Sequence, residues 1–183
     1  MEKVLAQGKA KSIGVSNFNI RRLEEVLSKC SIVPCVNQIE AHPYLQQNAL
    51  VEYCRSKKIL IEAYSPMGNN ETNSPRAIDD QAIQKLARDA GMDTGQLLVS
   101  WAVQRGTVVL PKSITASRIT SNFQVRELPA EIFAAMTAME KHHRYNFPTR
   151  WGMDVFDELD PATVANLAQE HAADNAARFP QYT

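Results

Sequence analysis

The sequence carries no excess charge of either sign: 20 Lys and Arg stand against 20 Asp and Glu. That balance excludes a protein held to nucleic acid or to an anionic membrane by bulk charge. No apolar run approaches the roughly 18 residues that a membrane span requires. The stretch from Met1 to Gly8 is too short and too polar to read as a secretory signal. Cysteine is scarce. Cys30, Cys35 and Cys54 are odd in number and lack paired or metal-type spacing, so they are expected to pack as small apolar residues in a reducing, cytoplasmic setting. The four histidines include no i, i+4 pair, and no Cys or carboxylate completes a site around them, so no metal is expected. G-x-S-x-G, P-loop and G-x-G-x-x-G motifs are absent, which removes the usual signatures of hydrolases and dinucleotide-binding folds.

What remains is an ordinary globular composition, 44% hydrophobic and 22% charged, with a regular alternation of elements. Lys11–Ser16, Pro34–Glu40, Ile59–Tyr64 and Thr107–Leu110 read as short strands. Between them lie helical stripes: Ile20, Leu23, Val26 and Leu27 behind an Asn19 cap; Ala49, Leu50, Tyr53 and Cys54; Ile83, Leu86, Ala87 and Ala90, closed by Gly91; and Leu97, Leu98, Trp101 and Ala102 with Thr94 as the expected cap. Residues 65 to 75 read as a loop, and the stretch from Leu110 to Asn122 as a polar connection. Pro129 opens a further helix through Ile132, Phe133, Met136 and Met139. The unit is β-α, repeated four times, which predicts parallel pairing with right-handed crossovers. Asp160-Pro161 starts an Ala-rich helix that runs to about Arg178.

Each strand ends in a small polar or amphipathic cluster: Ser16-Asn17, Gln38, Tyr64-Ser65 and Lys112-Ser113. At the C-terminal mouth of a β/α barrel these clusters would combine amide donors and acceptors, an aromatic face and a cation. That set suits a flat heteroaromatic bearing a carboxamide and phosphates. Singly, Asn17 and Ser113 read as helix caps and Tyr64 as core; four clusters at one topological place point to binding. Lys112, Arg118 and Asn122 lie between a strand end and a helix, where barrels bind phosphate, with Arg118 able to present a fork. A solvated basic turn is the alternative.

The same residues resemble the aldo-keto reductases. Gly8-Lys9-Ala10-Lys11-Ser12-Ile13-Gly14-Val15-Ser16-Asn17-Phe18 is similar to the family's G-K-x-x-x-I-G-V-S-N-F signature. Val36-Asn37-Gln38-Ile39-Glu40 with His42-Pro43-Tyr44, Ala63-Tyr64-Ser65-Pro66 and Leu110-Pro111-Lys112-Ser113 continue in family order, and Arg144-Tyr145-Asn146-Phe147 with Trp151-Gly152 resembles the C-terminal loop of fungal-type members. The resemblance implies an α/β fold: the C-terminal half of a TIM (β/α)8 barrel, four parallel β-α units with a C-terminal loop and helix. The reductase domain would span 1–158, and 159–183 would be an Ala-rich helical tail.

It implies NADPH-dependent reduction of an aldehyde or ketone by hydride transfer. Ser16, Asn17 and Gln38 would hold the nicotinamide carboxamide, Tyr64 would stack on the ring, and Ser65 would run past the pyrophosphate. Lys112, Ser113 and Arg118 would bind the 2′-phosphate, Asn122 would face the adenine, and Phe147 and Trp151 would shape the substrate pocket. Where many members carry an acidic residue just before that Asn, Ser121 stands here, so weaker coenzyme affinity is expected.

The resemblance also implies an absence. The family's tetrad of Tyr, Lys, Asp and His belongs to the first half of the barrel, so no catalytic role falls on any residue of this chain, and the chain alone is expected to be inactive. Met1 is expected to be an internal Met of a longer gene. Met1 to Gln7 resembles the end of the fourth helix. Four β-α units cannot close a barrel of about 250 residues, and the exposed edges would favour self-association. The alternative is a non-catalytic coenzyme-binding or regulatory module; a third reading makes the Ala-rich tail an oligomerisation helix.

Overall fold

The computed structural model describes residues 1–69, 75–146 and 153–178. In chain order these form α1 (Glu2–Ala6), β1 (Val15–Ser16), α2 (Ile20–Leu27), β2 (Val36–Glu40), α3 (Asn48–Ser56) and β3 (Leu60–Tyr64). Then follow a 3₁₀ turn (Ala77–Asp79), α4 (Gln81–Asp89), α5 (Thr94–Gln104), β4 (Val108–Leu110), α6 (Ala116–Asn122), α7 (Ala130–Thr137) and α8 (Pro161–Arg178). The four strands make one sheet in the order β1-β2-β3-β4, every pair parallel. Four parallel strands, each returning through helical chain, are four consecutive units of a β/α barrel.

Local sequence explains the element starts. Asn19 accepts from the Arg22 N–H at 2.9 Å, and Asp80 from those of Ala82 and Ile83 at 2.7 and 3.3 Å; each satisfies donors that the first helical turn leaves free. Three expectations need correction. Asp93, not Thr94, caps α5, accepting from the Gln96 N–H at 2.8 Å. Asp reaches the third helical amide from outside the helix, and Thr94 becomes the first helical residue. The polar connection before Asn122 contains α6, whose sequence ASRITSN lacks an apolar stripe and so gives no periodicity to read. β1 is also shorter than its apolar pattern, because only Val15 and Ser16 find register partners, in Asn37 and Gln38.

The chain divides into two compact units, Met1–Tyr145 and Asn146–Thr183. In the first, the helix-facing side of the sheet is closed. Leu23 from α2 and Leu50, Val51 and Cys54 from α3 pack on Ile39, Ile61 and Ala63. A second cluster joins α4, α5 and α7 around Ile83, Leu98, Trp101 and Met136. The indole N–H of Trp101 donates to Thr137 Oγ1 at 3.2 Å, so the buried ring keeps its polar atom satisfied. In the second unit, the Asp154 carboxylate gathers the N–H groups of Phe156, Glu158 and Leu159 at 2.6–2.8 Å. Asp160 accepts from Ala162 and Thr163 at 3.0 and 3.1 Å and starts α8 where Asp160-Pro161 predicts.

Candidate functional site

The polar residues gather at the C-terminal ends of the strands. Register partners in adjacent parallel strands share a face, so Ser16, Gln38 and Glu62 form one row and Glu40, Tyr64 and Leu110 the next. The chain leaves β1 through Asn17 at φ 58 and β3 through Ser65 at φ 50, both left-handed. Asn tolerates this conformation and Ser less so; strained backbone of this kind concentrates at functional sites. Asn37, fully buried, clamps the turn after β1: its Nδ2 donates to the Phe18 carbonyl at 2.8 Å and its Oδ1 accepts the Phe18 N–H at 3.3 Å.

Four of the expected residues are linked by hydrogen bonds. The Asn17 N–H and the Ser16 hydroxyl both donate to the Gln38 carbonyl, at 2.9 and 3.2 Å. The Tyr64 hydroxyl donates to Asn17 Oδ1 at 3.1 Å, and the Gln38 amide donates to Glu62 Oε2 at 2.8 Å. Burial first, then the nearby Glu40 carboxylate, pushes the Tyr64 phenol up to about 12. Tyr64 is thus a neutral, half-buried ring held by its hydroxyl, with carboxamide groups beside it.

The other expected residues stand apart from this group. Lys112 is exposed and Ser113 half-buried in the turn after β4, where the Ser113 hydroxyl accepts the Thr115 N–H at 3.1 Å. Arg118 is exposed on α6, whereas Asn122, at its end, is buried. A Cβ on Gly95 would come within 3.3 Å of Asn122 Oδ1, so that side chain packs against the start of α5. Phe147 and Trp151 lie outside the described residues. Cys54 is buried, and Cys30 and Cys35 are half-buried and free.

Sequence reasoning missed a buried set beside the mouth. Glu40 and His42 have side chains at 0% exposure and pair through His42 Nε2 and Glu40 Oε1 at 2.9 Å. Against a carboxylate acceptor, Nε2 carries the proton. Nδ1 of the same ring is buried and has no hydrogen-bond partner among the described residues. The available signal was spacing: Glu40, His42, Tyr44 and Gln46 recur every second residue.

Among the described residues, two grooves lie away from the strand ends. One of 360 Å³ lies between α1, β1 and α2, lined by Ile13, Val26 and Cys30. One of 440 Å³ lies in the second unit beside Leu159, Val164 and Ala168. Neither gathers the amide, aromatic and cationic groups of the strand ends. Among the described residues, no three His, Cys, Asp or Glu side chains cluster as a metal site, and no helix is long and apolar enough to cross a membrane.

Comparison with known proteins agrees with the fold. The model of the aldo/keto reductase family matches residues 1–141. Aldehyde reductase YPR1 of Saccharomyces cerevisiae is 42% identical over 145 residues, covering 78% of this chain and 46% of that protein. Glycerol 2-dehydrogenase (NADP(+)) of Hypocrea jecorina is 41% identical over 164 residues, 86% of this chain and 52% of that protein. The crystal structure of MGS-M4, an aldo-keto reductase enzyme from a Medee basin deep-sea metagenome library, superimposes with a TM-score of 0.74 at 32% identity. It covers 87% of this chain and 57% of its own. The chain therefore spans about half the length of the curated relatives it matches.

Proposed function

Because the chain belongs to the aldo/keto reductase family, we propose that it forms the coenzyme-holding part of an NADPH-dependent reductase of aldehydes or ketones. The observation that carries this reading is the hydrogen-bonded group of Ser16, Asn17, Gln38 and Tyr64 at the strand ends, with two exposed cations, Lys112 and Arg118, beyond the neighbouring strand. This donor set fits the coenzyme. Carboxamide and hydroxyl groups match a nicotinamide amide, a fixed neutral phenol gives a stacking wall, and a guanidinium fork with an ammonium matches a phosphate monoester. The relative from Hypocrea jecorina whose name includes NADP(+) supports the choice of coenzyme.

When bound, NADPH supplies the hydride for a carbonyl carbon. In this chain Ser16, Asn17 and Gln38 would hold the carboxamide, and Tyr64 would stack on the ring. Ser65 lines the path to the phosphates, Lys112, Ser113 and Arg118 hold the 2′-phosphate, and Asn122 stands at the adenine end. The proton that the reduced carbonyl oxygen requires comes from a general acid that this chain does not supply, so turnover needs polypeptide beyond it. Residues 1–158 make up the reductase part, with 159–183 an appended helical tail, and the three free cysteines suit the cytoplasm.

A second reading has its own observation. Leu60, Val108 and Leu110 are exposed on the sheet face away from the helices, and β1 and β4 each have one strand neighbour. A non-catalytic module that binds coenzyme and self-associates through these surfaces accounts for both facts.

Titration of the full chain with NADPH and NADH, followed by nicotinamide fluorescence, tests the first reading. NADPH should bind at least about tenfold more tightly than NADH, with no aldehyde consumed. Equal affinity, or none, rules the reading out, and turnover by the chain alone contradicts the assignment of the acid. Saturable binding by a discrete oligomer selects the second reading.

A further inference from the structure

A set of contacts that the coenzyme reading does not use ties the ring end of the mouth to the last residues of the first unit. Glu40, His42, Tyr44 and Gln46 are all buried and face the segment that follows α7. The Tyr145 N–H donates to Glu40 Oε1 at 2.8 Å. The N–H groups of Lys141 and His143 both donate to the Tyr44 carbonyl, at 3.2 and 2.9 Å. The Gln46 N–H donates to Glu140 Oε2 at 2.7 Å, and its side-chain amide to the Thr137 carbonyl at 2.7 Å.

His142, within this strap, is left-handed at φ 51, which turns the chain so that alternate amides reach Tyr44. The Tyr145 ring is wedged between His42 and His143, with centroids at 5.0 and 4.6 Å. Its hydroxyl donates to the Pro75 carbonyl at 2.8 Å. A Cβ on Gly68 would come within 2.9 Å of that ring, so glycine is what lets the loop after β3 close on it.

Glu40 is where the strap meets the coenzyme site. It is the register partner of Tyr64, so the two side chains stand side by side on one face of the sheet. Its carboxylate is wholly buried, an arrangement tolerated only when paired and hydrogen-bonded, and a poor source of net stability compared with apolar packing. That combination fits a role in position better than a role in holding the fold together.

We propose that Glu40, oriented by His42, is a positioning residue that locks the strap 140–145 to the ring wall at Tyr64, so that coenzyme affinity depends on the bond from Tyr145 to Glu40. This inference rests on the coenzyme reading of Tyr64.

Glu40→Gln in the full chain keeps an acceptor of the same shape and removes the charge that strengthens it. Residue-resolved amide hydrogen exchange should quicken at Tyr145 by about tenfold or more, while Ile39, Ile61 and Ala63 in the sheet keep their rates. NADP⁺ should bind roughly three- to tenfold more weakly. His42→Gln leaves the carboxylate but removes the ring that orients it; it should show both changes in smaller measure, and it decides the matter if Glu40→Gln does not fold. An unchanged Tyr145 amide overturns the proposal, and so does a quickened one with NADP⁺ affinity as in the parent. Equal quickening across the sheet amides assigns Glu40 to the fold alone and also overturns it. A parent chain that keeps a slow Tyr145 amide but binds no NADP⁺ fails differently: it removes the coenzyme reading itself, and this coupling with it.

Discussion

Leu60 and Ile61 are neighbours in β3, equally apolar, and they meet opposite fates. Ile61 is 4% exposed beneath the helices, whereas Leu60 on the other face is 58% exposed. The contrast holds along the sheet, with Ile39 and Ala63 buried on the helix side and Val108 and Leu110 exposed on the other. Strands apolar on both faces belong to parallel sheets covered on both sides. In a barrel the second face turns inward, where layers of side chains from successive strands fill the interior. The apolar residues of the open face are thus core residues in character, and the polar ones on the same face toward the strand ends (Ser16, Gln38, Tyr64) are those proposed for the coenzyme. The helix face holds the unit together. The open face carries the exposed apolar residues and the strand ends proposed for the coenzyme.

The largest test of that division is a matched pair of truncations. Ile61→Ala should cost about 2–4 kcal/mol in denaturant unfolding, the loss of a buried aliphatic chain. Leu60→Ala, one residue away, should cost less than about 1 kcal/mol. Equal costs would mean that the open face is covered in solution.

Next in size, Lys112→Ala with Arg118→Ala should weaken NADP⁺ binding by about 2–3 kcal/mol while barely moving NAD⁺, because both cations are assigned to the 2′-phosphate. Raising the ionic strength should reproduce part of that loss, since both side chains are exposed. A calorimetric titration at two salt concentrations checks both statements.

A smaller effect comes from titration. Tyr64 and Tyr145 hold their protons up to about 12, whereas an unperturbed phenol releases its proton near 10. Each therefore lends stability that is complete below pH 10 and is lost as pH rises through 12. Tyr64→Phe should flatten that alkaline decline and weaken coenzyme binding by about 1 kcal/mol, through the lost bond to Asn17. Thermal melts from pH 8 to 12 read the first effect. Smallest of all, Leu110→Lys on the open face should change unfolding stability by no more than about 0.5 kcal/mol, yet reduce self-association in sedimentation velocity. Unaltered association would place the contact elsewhere.

Much of this was legible in the chain, and for identifiable reasons. The β-α alternation shows because buried parallel strands leave short apolar runs and their helices leave stripes at helical spacing. The caps Asn19 and Asp160 lie where local chemistry alone decides. The grouping of Ser16, Asn17, Gln38 and Tyr64 follows from their common place in or just past the C-terminal halves of successive strands. What the sequence hid depends on distant partners. α6 has no apolar stripe because it rests on the surface. Leu60 and Ile61 are indistinguishable in sequence, since burial there is set by what covers each face. Spacing alone does not show what the Glu40–His42 pair holds, because the Tyr145 N–H that donates to Glu40 comes from 105 positions away along the chain.

The most direct test of the central claim is a map of amide chemical-shift changes in the labelled chain as NADP⁺ is added. A coenzyme lying along the strand ends should shift Asn17 and Gln38 at the ring end, Ser65 on the path to the phosphates, and Ser113, Arg118 and Asn122 beyond it. The groove beside Leu159 and Val164 should stay silent. Shifts confined to that groove or to the one between α1 and α2, or no shifts at all, would contradict the assignment of the mouth as the coenzyme site.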